Sequence, residues 1–265
     1  MLGCPECKKD GASVIVGVET PSPLLKHSLA SPSTVAYVMY QKYVNSIPLY
    51  PQQADWKQLG FRLPRATLAN WVIKCGIDYM EPVYEQLHRH LLERDIIHAD
   101  ETPCQVLKET GKTAQSKSYM WLYGSGNDEL PPIRLYDYQP SRGGYHAEEF
   151  LKDFTGYLTC DGFGGYNKLK NVIRCGCLAH MGWYWHEALP GKMKKSPDKT
   201  PAEIGFDYCN QLFELERGYA DLDADTRKAK RLETESAIWE AYWSWLETVN
   251  PAGGSRLAKA VTYAK

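Results

Sequence analysis

Two short apolar runs in the middle of the chain each end in an aspartate. The first is Ile96–Asp100 and the second is Gly156–Asp161, and turn-forming residues follow each of them. If the two runs are parallel neighbouring strands of a mixed sheet, the carboxylates of Asp100 and Asp161 converge at one edge. Mg²⁺ and Mn²⁺ prefer such oxygen ligands. The sequence therefore predicts a divalent-cation site at Asp100 and Asp161, although each aspartate could instead simply cap a turn.

The spacing of apolar residues divides the chain into four segments. Residues 1–30 have no sustained period, residues 31–94 are helical in pattern, residues 95–182 are rich in strands, and residues 183–265 are helical again. The strand-rich segment has the predicted order β-β-β-α-β-α-β. We therefore expect an α/β fold in which a small helical domain precedes a mixed sheet. Residues 183–255 should form a mostly helical lobe outside that sheet.

Composition narrows the class of protein. The 265 residues are 43% hydrophobic and carry a formal net charge of -1, which suits a globular protein without a strong positive field. Residues 1–80 are mildly basic and the remainder is mildly acidic. No apolar run approaches the roughly 20 residues of a membrane span, and the N-terminus does not resemble a secretory signal. These features predict a cytoplasmic location and no membrane partner.

Cysteine spacing indicates a partial zinc site at the N-terminus. Cys4 and Cys7 are separated by two residues, so their thiolates could supply half of a tetrahedral Zn²⁺ site in a reducing compartment. The alternative is a disordered tail, and the following residues to 30 then form a linker. Cys177 and His180 have similar spacing, but we favour a role in packing over metal binding for this pair.

The first helical segment is predicted to contain three short helices in the manner of a helix-turn-helix. Trp71 in the third helix is expected in the core. Basic and amide side chains in or beside this helix could reach phosphates or base edges of DNA, although a merely solvated helix face is an open alternative. The candidates are Arg62, Arg65, Asn70 and Lys74.

Several short sequence motifs, taken in their order along the chain, resemble those of one protein family. The motifs are His98–Pro103, Cys160–Tyr166, Cys175–His180 and Glu187–Pro190, preceded by Pro48–Pro51, Leu59-Gly60 and Thr67–Trp71. Together they resemble the insertion sequence 66 family of bacterial transposases. The resemblance implies a ribonuclease-H-like fold and a DDE active site in which Asp100 and Asp161 are the two aspartates. It also implies a helical insertion between the second aspartate and a closing glutamate.

The chain departs from the family pattern in three places. The closing glutamate lies in an Asn-Asn-x-x-x-Glu segment that does not occur before Lys265, so we expect the third carboxylate beyond the C-terminus and nominate no glutamate in its place. Met181–Trp185 occupies positions where the family has basic residues. Only one cysteine pair of the zinc-binding region is present. These departures indicate a chain truncated at both ends.

Three hypotheses about function follow. The first is a transposase of a bacterial insertion sequence, acting as a homo-oligomer on transposon-end and target DNA. When complete, it would cleave and transfer DNA strands with Mg²⁺ or Mn²⁺. The second is an inactive remnant that at most binds DNA or oligomerises, and the third is a ribonuclease-H-like nuclease unrelated to transposition. For the first, a shared metal pair requires the carboxylates of Asp100 and Asp161 to lie within roughly 4–8 Å on adjacent strands.

Overall fold

The computed structural model describes residues 2–3, 15–16, 22–28, 30–191 and 198–265. The chain divides into two compact units, Met1–Gln86 and Leu87–Lys265. In the first unit Leu2–Gly3 pairs antiparallel with Ile15–Val16. Cys4 and Cys7 lie outside the described residues, so the zinc half-site stays a prediction.

Three helices form the body of the first unit. They are α1 (Pro32–Tyr43), α2 (Leu49–Gln58) and α3 (Arg65–Cys75). Helix α1 begins where the sequence predicts, because Ser31 Oγ accepts a hydrogen bond from the Thr34 backbone N–H and a proline occupies the first turn. The helices share one apolar core of Leu25, Val35, Val38, Leu68, Trp71, Val72 and Cys75.

Two glutamines of α2 join the helices through polar contacts. Gln52 is buried and donates to the carbonyl oxygens of Val38 and Ile47. The Gln53 side chain accepts from the Arg65 backbone N–H at 2.7 Å, which supplies a partner to the start of α3. The connection between α2 and α3, residues 59–64, contains Gly60 at φ 87°. It is longer than the usual three- to four-residue turn of a helix-turn-helix.

A π-helical turn, Gly76–Met80, leads from α3 into α4 (Glu81–Leu92). The sequence predicts an amphipathic helix here with an apolar stripe at Val83, Leu87 and Leu91. Leu91 is fully buried, but Val83 and Leu87 are exposed. The stripe therefore anchors the helix at its C-terminal end only.

Five strands form one mixed sheet in the second unit. They are β1 (Ile96–Gln105), β2 (Lys117–Ser125), β3 (Arg134–Gln139), β4 (Gly156–Cys160) and β5 (Val172–Gly176). Their order in the sheet is β3-β2-β1-β4-β5. β1 to β3 form an antiparallel meander, whereas β4 pairs parallel with β1 and β5 pairs parallel with β4. The predicted mixed α/β sheet is confirmed, and its strand order is consistent with a ribonuclease-H-like fold.

Strand β1 corrects one expectation. The sequence predicts that it ends at Asp100, with Glu101 starting a turn, but its ladder with β2 continues from Asp100↔Leu122 to Gln105↔Lys117. Its recorded pairing with β4 stops at His98. Pro103 lies in the outer part of β1, which pairs with β2 only, and proline within sheets is confined to such edge positions. Asp100 therefore lies within a strand, just beyond the paired part of β4.

Helices account for the rest of the second unit. α5 (Gly144–Phe150) connects β3 to β4, a 3₁₀ turn (Gly164–Lys168) precedes β5, and α6 (Leu178–Glu187) follows it. Then come α7 (Pro201–Gly218), α8 (Ala224–Lys230), a π-helical turn (Arg231–Glu235), α9 (Ser236–Thr248) and α10 (Arg256–Ala264).

The predicted helical lobe is confirmed for the residues described after position 183, none of which adds a strand to the sheet. Its core is aromatic. Trp185 is fully buried, and Gly205 of α7 leaves room for its ring, because a Cβ there would come within 2.4 Å of it. Across the described ranges, no helix combines the length and apolar character needed to cross a membrane.

Candidate active site

The register of β1 and β4 brings Asp100 and Asp161 to one place. Ile97 pairs with Leu158 and His98 with Thr159, so the same offset relates Asp100 to Asp161. Both aspartates line one cavity of about 310 Å³, together with His98, Arg134, Cys177, His180 and neighbouring strand residues. Asp100 within β1 and Asp161 directly after β4 therefore contribute to a common cavity. A carboxylate separation of roughly 4–8 Å stays a prediction.

Each aspartate is oriented by a backbone N–H. Asp100 Oδ1 accepts from the Glu101 N–H at 2.9 Å, and Asp161 Oδ1 accepts from the Phe163 N–H at 2.8 Å. The second contact is an Asx turn, the geometry with which aspartate starts a loop after a strand. Asp100 is exposed, whereas the side chain of Asp161 is 19% exposed. Turn chemistry and cation binding are thus compatible at Asp161, because its Oδ2 is not used in the turn.

A third carboxylate, Glu101, lies on the buried side of β1. Its side chain is fully buried and accepts from the Arg142 guanidinium at 2.6 and 2.7 Å and from the Tyr166 hydroxyl at 2.7 Å. Burial raises the pKa of Glu101, while the hydrogen bonds from Tyr166 and Arg142 oppose that rise. Its position and partners indicate a structural carboxylate on the side away from Asp100.

Arg142 connects this buried cluster to Asp161. Its Nη2 lies 3.6 Å from Asp161 Oδ2, and its guanidinium stacks over the Phe163 ring at 4.2 Å. The turn that carries Asp161 is also packed closely from behind, because a Cβ on Gly144 would come within 2.5 Å of the Gly165 carbonyl. Arg142 therefore holds the Asp161 turn against the sheet.

Sequence reasoning missed Glu101, Arg142 and Tyr166 as parts of this site. A signal for Glu101 was present in the sequence. Every second residue of a strand lies on the same face, and Glu101 follows Ile97 and Ala99 on the buried face of β1. No comparable signal identified Arg142, which is 41 residues away from its partner.

The carboxylate oxygens of Asp100 and Asp161 could serve as some, but not all, of the ligands of a divalent cation. Asp100 and Asp161 supply hard oxygen ligands at one cavity, as Mg²⁺ or Mn²⁺ requires. No cluster of three or more His, Cys, Asp or Glu side chains suited to a metal occurs in the portion of the chain that the structure describes. The two aspartates alone would make an incomplete coordination shell.

Cys177 and His180 lie at the beginning of α6 and on the wall of the same cavity. The Cys177 carbonyl accepts from the Tyr263 hydroxyl at 3.1 Å, and the rings of His180 and Tyr263 are 6.5 Å apart. These contacts connect the segment to α10. A packing role for the pair is consistent with them and stays a prediction.

The four DNA-binding candidates of the first unit are all exposed, and Trp71 is buried in the core. Asn70 and Lys74 are four residues apart on α3 and so share one face of the helix. Arg65 opens the helix, whereas Arg62 lies in the preceding loop. Their accessibility permits contact with DNA, which stays a prediction.

Comparisons with known proteins find a matching family. The family model described as "Transposase IS66 family" matches residues 27–265. Two proteins of Sinorhizobium fredii (strain NBRC 101917 / NGR234) are similar to the chain. "Uncharacterized protein y4qI" is 25% identical, covering 96% of this chain and 49% of its own length. "Uncharacterized protein y4hP" is 24% identical, covering 86% and 44%.

The chain spans about half the length of these relatives. No solved structure matches it.

Proposed function

Because the chain belongs to the IS66 family of transposases, we propose that Asp100 and Asp161 are two catalytic carboxylates of a DDE-type site on a ribonuclease-H-like sheet. The supporting observation is that Asp100, within β1, and Asp161, directly after the parallel neighbour β4, line one cavity. The reaction would be phosphodiester cleavage and strand transfer at the ends of a mobile DNA element.

The roles of the protein groups follow from their positions. Mg²⁺ or Mn²⁺ bound there would activate an attacking oxygen and stabilise the leaving oxygen. Asp100 and Asp161 would hold the cation, each kept in orientation by its backbone N–H contact. Glu101 and Tyr166 act indirectly as positioning residues, since they fix Arg142 beside Asp161.

A DDE site needs a third carboxylate. None joins the two aspartates in a metal-type cluster within the described ranges. We therefore expect this chain alone to bind a divalent cation weakly and to fail to cleave transposon-end DNA, because catalysis depends on holding the cations and the attacking oxygen in line. The same observation favours a second candidate function, an inactive transposase remnant that binds DNA or oligomerises.

DNA binding is assigned to the first unit. Arg62, Arg65, Asn70 and Lys74 would contact transposon-end DNA from the exposed side of α3 and its preceding loop. Target DNA and further copies of the chain would complete the complex. Zn²⁺ at Cys4 and Cys7 would be a structural addition to this unit.

Cation binding tests the site without requiring turnover. Titration with Mn²⁺, followed by electron paramagnetic resonance of the free ion, should show binding to the wild type. Asp100→Asn and Asp161→Asn should each weaken it by about tenfold or more, because each removes one charged ligand. Asp153→Asn, at an exposed aspartate that does not line the cavity, is the matched control. Equal Mn²⁺ affinity in all four proteins would reject the assignment.

Cleavage of transposon-end DNA with Mn²⁺ separates the two candidate functions. The chain is compared with a longer version, because the relatives are about twice its length. Cleavage only by the longer version, and its loss on Asp100→Ala, would support the transposase. No cleavage by either protein, with DNA binding retained, would support the remnant. Efficient cleavage by this chain that Asp100→Ala abolishes would place the third carboxylate within residues 1–265.

A further inference from the structure

A second, larger cleft lies beside Asp161. Its volume is about 860 Å³, and its walls come from the Gly162–Gly164 turn, from α6 and from α10. It lies wholly within the second unit. Asp161 also lines the smaller cavity that it shares with Asp100, so the cleft and the cavity have this residue in common. A molecule in the cleft would therefore lie next to a residue of the proposed reaction centre.

Two cations that form no salt bridge with any described residue line the cleft. Arg256 and Lys259 lie one turn apart on α10, and both are exposed. Arg256 donates to the Glu187 backbone carbonyl at 3.2 Å. Neither cation forms a salt bridge within the described ranges. Arg142 also lines the cleft but is already paired with Glu101 and Asp161, and Glu187 adds one acid.

An aromatic wall faces the same space. Trp183 of α6 is 53% exposed, although tryptophan is usually largely buried. Its ring contacts Tyr184 edge-on at 5.0 Å, and Tyr184 in turn packs on Tyr263 at 4.8 Å. These contacts support the indole from behind while half of it stays accessible. Sites that bind single-stranded nucleic acid combine two features. Cations pair with the phosphates, and an aromatic face next to them stacks on a base.

We propose that this cleft binds a short unpaired stretch of DNA strand next to the reaction centre, with phosphates at Arg256 and Lys259 and a base stacked on Trp183. The inference rests on the proposed function, because it places the strand ends that the reaction makes or uses. An unpaired strand fits better than a duplex, since the bases of a duplex are stacked on each other and offer Trp183 no free face. The cleft volume of about 860 Å³ lies within the range of ligand pockets, roughly 300–1,000 Å³, so the cleft suits a short stretch of strand.

The test measures binding of a fluorescently labelled single-stranded oligonucleotide by anisotropy, in EDTA so that no cleavage occurs. Trp183→Ala should weaken binding by about tenfold or more, the usual effect of losing one stacked base. Trp243→Ala is the matched control, because Trp243 is similarly exposed but does not line the cleft. Affinity for a duplex of the same sequence should be unchanged by Trp183→Ala.

Charge is tested separately through salt dependence. Arg256→Ala with Lys259→Ala should make the slope of log affinity against log salt shallower by about 1.4, or about 0.7 for each lost phosphate contact on a single strand. Lys152→Ala with Lys228→Ala removes two exposed cations elsewhere in the unit and should leave the slope unchanged.

Unchanged single-strand affinity in Trp183→Ala together with an unchanged slope in the Arg256 and Lys259 variant would overturn the proposal. Equal loss of single-strand and duplex binding would also overturn it, as would preferential binding of RNA of the same sequence. Cleavage assays do not enter this test. Single-strand binding without cleavage by the longer version would keep the cleft and reject the enzymatic proposal, whereas cleavage by the longer version without cleft binding would do the reverse.

Discussion

Asp100 and Glu101 are adjacent carboxylates with opposite environments. Asp100 is exposed at the cavity that it shares with Asp161, whereas the side chain of Glu101 is fully buried between Arg142 and Tyr166. The difference arises because successive side chains of a strand point to opposite faces of the sheet. One residue step along β1 therefore separates a carboxylate able to receive a cation from one committed to internal hydrogen bonds.

The comparison also shows how the two faces cooperate. The buried carboxylate holds Arg142, and Arg142 approaches Asp161 on the neighbouring strand. A buried charge is tolerated only with such partners, since removing one partner leaves an uncompensated charge in the interior. Changes on the Glu101 side should therefore affect folding first, and changes on the Asp100 side should affect cation binding first.

Glu101→Gln should have the largest effect on stability. The change keeps the size of the side chain but removes the charge that Arg142 pairs with, and it presents an amide N–H₂ to the donors of Arg142 and Tyr166. We expect a loss of about 3 kcal/mol in the free energy of unfolding at neutral pH, because the buried amide N–H₂ would face other donors and lack an acceptor. Urea denaturation measures it. A loss below about 1 kcal/mol would mean that the cluster contributes little to the fold.

Arg142→Ala should give a loss of stability that depends on pH. The pKa of Glu101 is already raised above its ordinary value of 4.5, and removing the cation should raise it further. A folded-state carboxyl pKa above the unfolded one contributes stability that is present below the unfolded pKa and is lost as pH rises through the folded pKa. In Arg142→Ala, the pH range over which the folded state loses this stability should therefore extend to higher pH.

Urea denaturation between about pH 4.5 and about pH 7.5 tests this, with the deficit of Arg142→Ala growing towards neutral pH. Lys152→Ala, at an exposed lysine, is the control and should show no such trend. A deficit independent of pH would mean that Arg142 acts by packing on Phe163 rather than by charge.

Tyr166→Phe should have a smaller effect. It removes one hydrogen bond of 2.7 Å to Glu101 but keeps the buried ring and the Arg142 pair. The expected loss is about 1.5–2 kcal/mol, the range for a hydrogen bond to a charged group. Thermal unfolding measures it, and a double-mutant cycle with Glu101→Gln should show that the two losses are not additive.

Much of the mixed sheet could be predicted from the sequence, because strands and helices differ in the period of their apolar residues. The five strands occur in the predicted order, and α5 occupies the predicted connection between the third and fourth strands. The predicted end of β1 at Asp100 was wrong, because the local sequence with Glu101 and Pro103 suggests a turn. Pairing with β2, a non-local contact, keeps this segment extended.

The site was predictable only on one face. The convergence of Asp100 and Asp161 at one cavity could be predicted because each ends an apolar run and the register of β1 and β4 is parallel, while their role stays a prediction. Arg142 could not be found in this way, since nothing local distinguishes it from other surface arginines. The exposed Val83 and Leu87 make the same point for helices, because periodicity predicts an apolar face but not whether anything covers it.

Asp100→Asn should have the smallest effect on folding and thereby complete the comparison with Glu101→Gln. Both substitutions convert a carboxylate to an amide, one residue apart on the same strand. Asp100 is exposed, and the amide oxygen of asparagine can still accept from the Glu101 N–H, so stability without divalent cations should change by no more than about 0.5 kcal/mol.

With Mn²⁺ the effect of Asp100→Asn on stability should differ. A cation that binds only the folded state raises its stability in proportion to RT ln(1 + [L]/Kd). The wild type should therefore gain thermal stability as Mn²⁺ is added, and Asp100→Asn should not. A large loss of stability without cation would show that Asp100 is a structural residue like Glu101, and an undiminished Mn²⁺ response would show that it is not a ligand.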